Sequence, residues 1–534
     1  MYVIYLLYIY MGIPSLFRVL VQEDESLFHK HVPKCDFFYL DYNCLIHHAS
    51  RGVSNSDEDV ITQVVSYTRT LINDIVKPSD CVFIAMDGPV PVAKMIRQRE
   101  RRFKKIEPSD TNSTFDSNKI TPGTEFMHKL AQRIHSLISL RVFQVRCVLF
   151  SDSSVPGEGE WKIFQHIRNE CNSATLICLY GLDADLVVWT MASNCLRNVI
   201  LCREDDDGVL MFFELYQSLN RLLHKKHGLN IHDYKVLWDI VLVLMLGGND
   251  FVSPIECLKI RNQGWTHLIE CYVRFGQSFV DHNKRVNWDM YHQFLTFVSS
   301  FEDTLSKKMY TKQLRACNQP MTSNEDIENV PFASLQHPLY SLYGTQSISI
   351  PYYDTQRVWK KHYYERIFGH PFTIPGFMNT ICRDYLASIV WCWEYYTNHQ
   401  LPSWVFAYEH IAAPCLSDVV FWYTRVFHES VSLAFTPGTC LRPIEQLVCV
   451  VPLPRCNYLL PQVLRLCVCE IPENPTTAFQ VDDFLIEPIT GQKMIYAPPL
   501  LPRIDIHKVR HFVCCLEEYF DEKEHHLNTL RESY

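Results

Sequence analysis

No C-x-x-C pair occurs anywhere in the chain, although cysteine itself is plentiful, at 21 of 534 residues. Single cysteines scattered through a long chain exclude the disulfide framework of a small secreted domain, so reduced and mostly buried thiols are expected. Positive charge is also short: 50 Lys and Arg stand against 59 Asp and Glu, a formal net charge of −9. Coating nucleic acid non-specifically needs a surplus of cations to displace counterions from phosphate, which excludes that class. Any nucleic-acid site must be a local basic patch. A membrane-length apolar run is missing too. The opening MYVIYLLYIY is apolar and aromatic, but it has no basic flank, is far shorter than a span, and runs into Met11-Gly12-Ile13-Pro14. Residues 1–10 read as an extension or an upstream start codon. Leu16 stands where myristoylation after Met11 would need Ser or Thr. With no repeat, coiled coil or low-complexity tract, the expectation is a soluble, monomeric, cytoplasmic protein with no membrane partner, a nuclear location being also open.

What is present is a large apolar fraction, 47%, enough for an extended core and more than one ordinary domain. From about Phe37 to Phe251 short apolar runs alternate with helical patterns: FFYLDYN, a helix from Val60 to Ile75, CVFIAMDG, a charged helix, VRCVLFSD and LICLYGLDADL. Strands alternating with helices predict an α/β fold, a mostly parallel twisted sheet with flanking helices. Polar, weakly periodic stretches from Asn112 to Pro122 and from Asn318 to Ser349 read as loops. Helical spacing returns at Val358 to Phe368 and Phe377 to His399, with a C-terminal helix from about Ile506. The domain reading is an extension at 1–10, an α/β core at 11–270, connecting helices and loops at 271–355, and a helix-rich second lobe at 356–534.

Carboxylates carry the chemistry. Apolar runs end at Asp41, Asp87 and Asp183, with Asp152 closing a fourth. Residues at the carboxyl ends of strands in an open α/β sheet converge on one crevice. Glu158 and Glu160 in PGEGE, and Asp183 and Asp185 in GLDAD, form i, i+2 pairs able to reach one ion. Asp250 follows an apolar helix and a Gly-Gly turn, a costly place for a lone charge. A single Asp at a strand end is ordinarily a helix cap or turn residue. Seven in one α/β region fit better with two hard cations, Mg²⁺ or Mn²⁺, about 3.5–4 Å apart, clamping the attacking and leaving oxygens of a phosphodiester.

The one dense basic run follows directly. From Lys94 to Lys105, seven of twelve residues are Lys or Arg, with Glu100 the lone acid. On a helix Lys94, Gln98, Arg101 and Lys105 share a face with Arg102 beside them, a donor array suited to a terminal phosphate; the ordinary reading is a solvated helix face. His47, six residues after Asp41, could ligate, stack on a base, or sit on a helix surface beside His48. Trp391, Trp393 and Trp404 read from spacing alone as core.

Taken together, MGIPSLFR, YLDYNCLIHH, AMDGPVPVAKMIRQRERRF, FDSNKITPGTEFM, PGEGEWKI, CLYGLDADL and LGGNDF resemble, in order, the eukaryotic 5′-to-3′ exoribonucleases of the XRN type. Weaker similarity runs through YLASIVWCWEYY, LPSWVFAYEHIAAPCLSDV and RPIEQLVCVVPLP to GQKMIYAPPLLPRID. The resemblance implies a PIN/FEN-like nuclease core with a second lobe closing the active-site pocket. It implies that Asp41, Asp87, Glu158, Glu160, Asp183, Asp185 and Asp250 bind metal, and that Lys94, Gln98, Arg101 and Arg102 hold a 5′-monophosphate. It further implies that His47 and Trp391 stack the first bases of single-stranded RNA, and that a decapping activity upstream supplies the substrate. Cys44 stands in place of a usual Gly and Trp161 in place of a usual His, while Arg97 and Glu100 alter the basic motif, Glu100 in a direction that could weaken phosphate affinity. The length resembles trimmed forms found in some large DNA viruses, without the further domains of large cytoplasmic members. Two other readings stay open at this point: a structure-specific 5′ DNA or flap nuclease, and a non-catalytic RNA-binding scaffold.

Overall fold

A computed structural model of the chain describes Leu16, Phe17 and Leu20, then residues 28–317 and 356–532 apart from breaks at 54–55, 105–114, 194, 205–207, 370–373, 399, 429–432, 471–475, 477–479, 482–483 and 487–497. The extension at 1–10, Lys105 and the stretch from Asn318 to Ser349 lie outside the described residues.

Apolar runs rich in β-branched and aromatic residues form seven strands: β1 (Phe28–His29), β2 (Phe37–Asp41), β3 (Cys81–Ala85), β4 (Cys147–Ser151), β5 (Ile177–Tyr180), β6 (Val199–Glu204) and β7 (Leu210–Glu214). They make one sheet in the order β1-β7-β6-β5-β2-β3-β4. The pairs from β6 through to β4 are parallel, as expected. The two-strand antiparallel edge formed by β7 and β1 has no counterpart in the sequence reading.

Chain order explains where the site sits. The chain runs outward from β2 to β3 to β4, then returns to place β5 on the other side of β2. Connections leaving β2 and β5 in opposite directions open a crevice at the carboxyl ends of these strands. Register then matters: Asp41 pairs with Ala85, and Leu40 with Tyr180, so the segments after β3 and β5 begin beside Asp41.

Helices cover both faces. Ser56 caps the helix Asp57–Arg69, which continues as a wider turn over Thr70–Val76. The second lobe is built on the helix Pro375–Thr397, started by a proline at its first position. Its Trp391, Tyr395 and Tyr396 join Phe164, Trp189 and Phe251 in the same buried core, so the lobe is packed onto the sheet's helices. Among the described residues no helix is long and apolar enough to cross a membrane.

Candidate active site

All seven carboxylates gather at the crevice. Six are buried, with exposures from 2% for Glu158 and Asp185 to 8% for Asp183, and Asp87 is half-buried. Asp41 ends β2 and starts the helix Tyr42–Ala49. One turn on, the Cys44 thiol donates to Asp41 Oδ2 at 2.8 Å, and its sulfur lies 3.8 Å from Asp183 Oδ1. The loop after β5 is fixed from behind by Arg203, which donates to the carbonyls of Leu182 and Asp183. Asp185 is the first residue of the helix Asp185–Ala192.

Two loops zip together to set Asp87 against Glu158 and Glu160. Gly88 N–H donates to Gly157 O at 2.9 Å, and Gly157 N–H to Pro89 O at 2.8 Å. Asp87 Oδ1 accepts from Gly159 N–H at 2.7 Å, at the start of the helix Gly159–Glu170, while Asp87 N–H is held by Asn43 Oδ1. Glu158 is the cap of that helix and Glu160 lies in its first turn, so the pair converges from a helix start rather than a strand. A Cβ on Gly88 would lie 1.7 Å from Val155 O, a contact with backbone that cannot be relieved locally. Gly88→Ala should therefore cost about 1–3 kcal/mol and spread the two loops. Urea unfolding will show the loss.

Asp250 arrives from the opposite side. After the helix Tyr234–Leu244, Gly248 turns the chain at φ +86°, with Pro254 packed so close that any side chain there would clash. Asn249 Oδ1 accepts from the N–H groups of Phe251 and Val252, leaving Asp250 aimed into the cluster. There Lys94 Nζ bridges Glu158 Oε1 at 2.5 Å and Asp250 Oδ2 at 2.8 Å, and Arg101 Nη1 lies 3.4 Å from the same Asp250 oxygen.

The electrostatics divide the acids. Burial, with repulsion from Asp183 and Asp87, holds Asp41 well above the usual carboxylate range. Burial and the neighbouring acids do the same to Glu160 and Asp185. Glu158 is raised chiefly by burial, and burial lifts Asp183 to about 6. Burial alone would raise Asp250 as well, yet Lys94 and Arg101 hold it below its ordinary value. Carboxylates that repel one another in this way are what a divalent cation would bring back to the charged form. Glu160 Oε1 and Asp185 Oδ1 are buried without a hydrogen-bond partner, and Asp41, Cys44 and Asp183 offer ligand atoms all within 4.8 Å of one another. The donor set fits a metal centre.

The expected phosphate residues all lie on the helix Val92–Lys104. Lys94 is turned into the acids, and Gln98 is buried with Oε1 lacking a partner. Arg102 donates to Thr121 Oγ1 and to Ile120 O, and burial beside Arg101 brings it down to about 10. Glu100, expected to oppose phosphate, is neutralised by Arg97 at 2.8 Å.

Trp391, expected to stack a base, lies in the core in this structure. The indole is 0% exposed, stacked on Tyr395 at 5.1 Å and packed against Phe251 and Phe406, with Nε1 donating to Ser403 O. No ring face is open to a base; helical aromatic spacing meant core here. Trp393 is also buried. Trp404 is half-buried, and its carbonyl accepts from Val92 N–H at 3.0 Å, at the start of the basic helix. His47 is half-buried in the last turn of Tyr42–Ala49, beside His48, which pairs with Glu204 at 2.9 Å.

Three contributors escaped the sequence reading. Tyr395 O–H donates to Glu158 Oε2 at 2.5 Å across 237 residues. Cys44 reaches two acids. Lys162, two residues after Glu160, donates to Met86 O and Asp152 O beneath the Asp87 loop, and burial pushes it down to about 7. Only the spacing of Cys44 from Asp41, one helical turn, was available as a signal. Asp152 itself pairs with Ser154, His135 and Arg531 outside the cluster.

Residues 11–205 match the family model described as the XRN 5′-3′ exonuclease N-terminus, and residues 355–534 match the one described as the Xrn1 helical domain. The chain is 26% identical to 5′-3′ exoribonuclease 1 of Homo sapiens, over 93% of this chain and 33% of that protein. It is 33% identical to 5′-3′ exoribonuclease 2 of Schizosaccharomyces pombe, over 57% of this chain and 41% of that protein. To 5′-3′ exoribonuclease 1 of Saccharomyces cerevisiae it is 28% identical, over 57% and 24% respectively. It thus spans less than half of the length of each of these relatives. Six of the acids lie in the first matched segment; Asp250 lies between the two, and the Lys94 bridge puts it with the rest.

Proposed function

The chain belongs to the XRN 5′-3′ exonuclease family, and from that premise we propose that it hydrolyses 5′-monophosphorylated single-stranded RNA from the 5′ end, releasing nucleoside 5′-monophosphates. One observation carries the reading: the basic helix and the acid cluster are joined by Lys94 and Arg101, so a phosphate held on that helix leaves the next linkage at the carboxylates.

Asp41, Asp87, Glu158, Glu160, Asp183, Asp185 and Asp250 would hold two Mg²⁺ or Mn²⁺ ions, which when bound supply an activated water and neutralise charge on the phosphodiester. The chain's own residues do the remainder. Arg101, Arg102 and Gln98 present donors to the terminal phosphate, and Lys94 keeps that array registered on Glu158 and Asp250. Tyr395 orients Glu158 by donating to its second oxygen. The second lobe covers the start of the basic helix, which limits the depth available to a 5′ substituent. Stacking of the leading bases falls to His47 and to a tryptophan of the second lobe, and stacking without base readout lets a strand advance regardless of sequence. Such an enzyme acts as a cytoplasmic monomer, after a decapping activity has exposed a 5′-monophosphate.

Digestion of one RNA bearing a 5′-monophosphate, 5′-hydroxyl or 5′-triphosphate, with and without Mg²⁺, tests this. The monophosphate form should decay about ten- to a hundredfold faster, the value of one charge-assisted contact, and only with the ion present. Equal decay of all three ends would remove the phosphate pocket from the proposal.

A further inference from the structure

Cys44 is placed as no other thiol in the described chain is. It lies one turn into the helix that Asp41 begins, so its sulfur is carried to the same crevice as the carboxylate. Sγ lies 2.8 Å from Asp41 Oδ2 and 3.8 Å from Asp183 Oδ1, and the three residues offer ligand atoms to a common centre. A second, independent feature points to the same spot. Glu160 Oε1 is buried with no hydrogen-bond partner, and Glu160 feels the charges of Asp183 and Asp41 directly. Two carboxylates and one sulfur therefore face one another in a buried space, and the unpartnered oxygen of Glu160 lies within the field of both acids.

We propose that Cys44 is a sulfur ligand at this centre, and that it makes the position between Asp41 and Asp183 take soft divalent cations, Zn²⁺ or Cd²⁺, in preference to Mg²⁺. The inference rests on reading the acids as a cation site, not on the RNA specificity. Mg²⁺ takes oxygen ligands and sheds its waters reluctantly, whereas sulfur favours Zn²⁺ and its heavier analogue. On binding, the S–H bond now directed at Asp41 breaks, a sulfur–cation bond forms, and the proton leaves to water. Sulfur at one position and oxygen elsewhere makes the two halves of the cluster unequal. Soft cations would then compete with Mg²⁺ for the Asp41 side, while the Asp250 side, lined by carboxylate and Lys94, would stay selective for hard ions.

The test uses the full chain without RNA. Cadmium is titrated in, and sulfur-to-cadmium charge-transfer absorption is recorded for wild type, Cys44→Ala, Cys44→Ser and the half-buried Cys440→Ser, each checked for folding by thermal melting. Exposed Cys514 and Cys515 contribute equally to all four spectra and cancel in the differences. Wild type and Cys440→Ser should share a band, equal to about one bound ion, that both Cys44 variants lack. Calorimetry should show cadmium affinity at that site reduced about tenfold or more in Cys44→Ser, with Mg²⁺ affinity changed less than about threefold. Superimposable spectra for wild type and folded Cys44 variants would overturn the assignment. Cadmium bound through Cys44 by a protein that digests no RNA would leave this inference standing and remove the proposed function instead.

Discussion

Replacing Asp183 with asparagine should lower turnover of 5′-monophosphate RNA by about three orders of magnitude or more, yet leave the metal-free protein more stable than wild type. The activity loss follows from removing a ligand oxygen from the centre of the cluster, where Asp183 faces Asp41 and Cys44. The stability gain follows from the electrostatics. Burial lifts Asp183 to about 6 from its ordinary 3.8, so between those pH values the folded state binds more protons than the unfolded one. Stability without metal must then fall as pH rises from about 4 to about 6. Asparagine cannot ionise and escapes that loss. Melting temperatures in chelator at pH 4.5 and pH 7 check it: wild type should melt lower at the higher pH, and Asp183→Asn should show a smaller difference. A divalent cation at a hundred times its dissociation constant should restore about 2.7 kcal/mol to wild type and much less to the variant. A pH-independent wild-type melting point in chelator would show that the acids are not strained by one another.

Lys94→Met should be the most destabilising single change at the site, at about 3–5 kcal/mol, although methionine nearly matches the volume of the lysine stem. Lys94 is buried, and although burial alone would lower its pKa, Asp250, Glu158, Glu160 and Asp185 hold it well above its ordinary value. Removing the ammonium strands two buried carboxylates, Glu158 and Asp250. The double variant Lys94→Met with Asp250→Asn should recover part of the loss, because one stranded charge is then gone. Urea unfolding of the three variants forms a cycle whose coupling should exceed about 1 kcal/mol; simple additivity would sink the bridge as a stabilising contact. Acid sensitivity supplies the sign. In wild type Asp250 is held below the usual carboxylate range, so its contribution is present at neutral pH and is lost as pH falls through that depressed value. Without Lys94 the direction should reverse.

How much of this was written in the sequence depends on the range over which each signal acts. Asp41, Asp87 and Asp183 were legible because each closes an apolar run, and strand ends in a parallel sheet point the same way. The helices at Gln356–Phe368, Pro375–Thr397 and Ile506–Leu516 follow their apolar spacing to within a few residues. The basic helix was legible as a cluster of donors, but not the inward turn of Lys94, which depends on Glu158 and Asp250, 64 and 156 positions away. The antiparallel edge of β7 and β1 had no signature, since β1 pairs over only two residues. Trp391 had two readings. Its spacing reads as core, and its ring packs against Tyr395, Phe251 and Phe406, while the stacking role implied by the family resemblance leaves no mark in spacing.

The basic helix also sets an order of events during synthesis. Val92 N–H is satisfied by the carbonyl of Trp404, and Val90 N–H by Gln446 Oε1, 356 residues further along. At about 5–20 residues per second, the ribosome delivers that glutamine roughly 20–70 s after the loop it completes. Until then the acids of the sheet can assemble while the helix that would seat a phosphate lacks its lid. A half-made chain thus holds the acids of the sheet before the two contacts that fix the start of the basic helix exist.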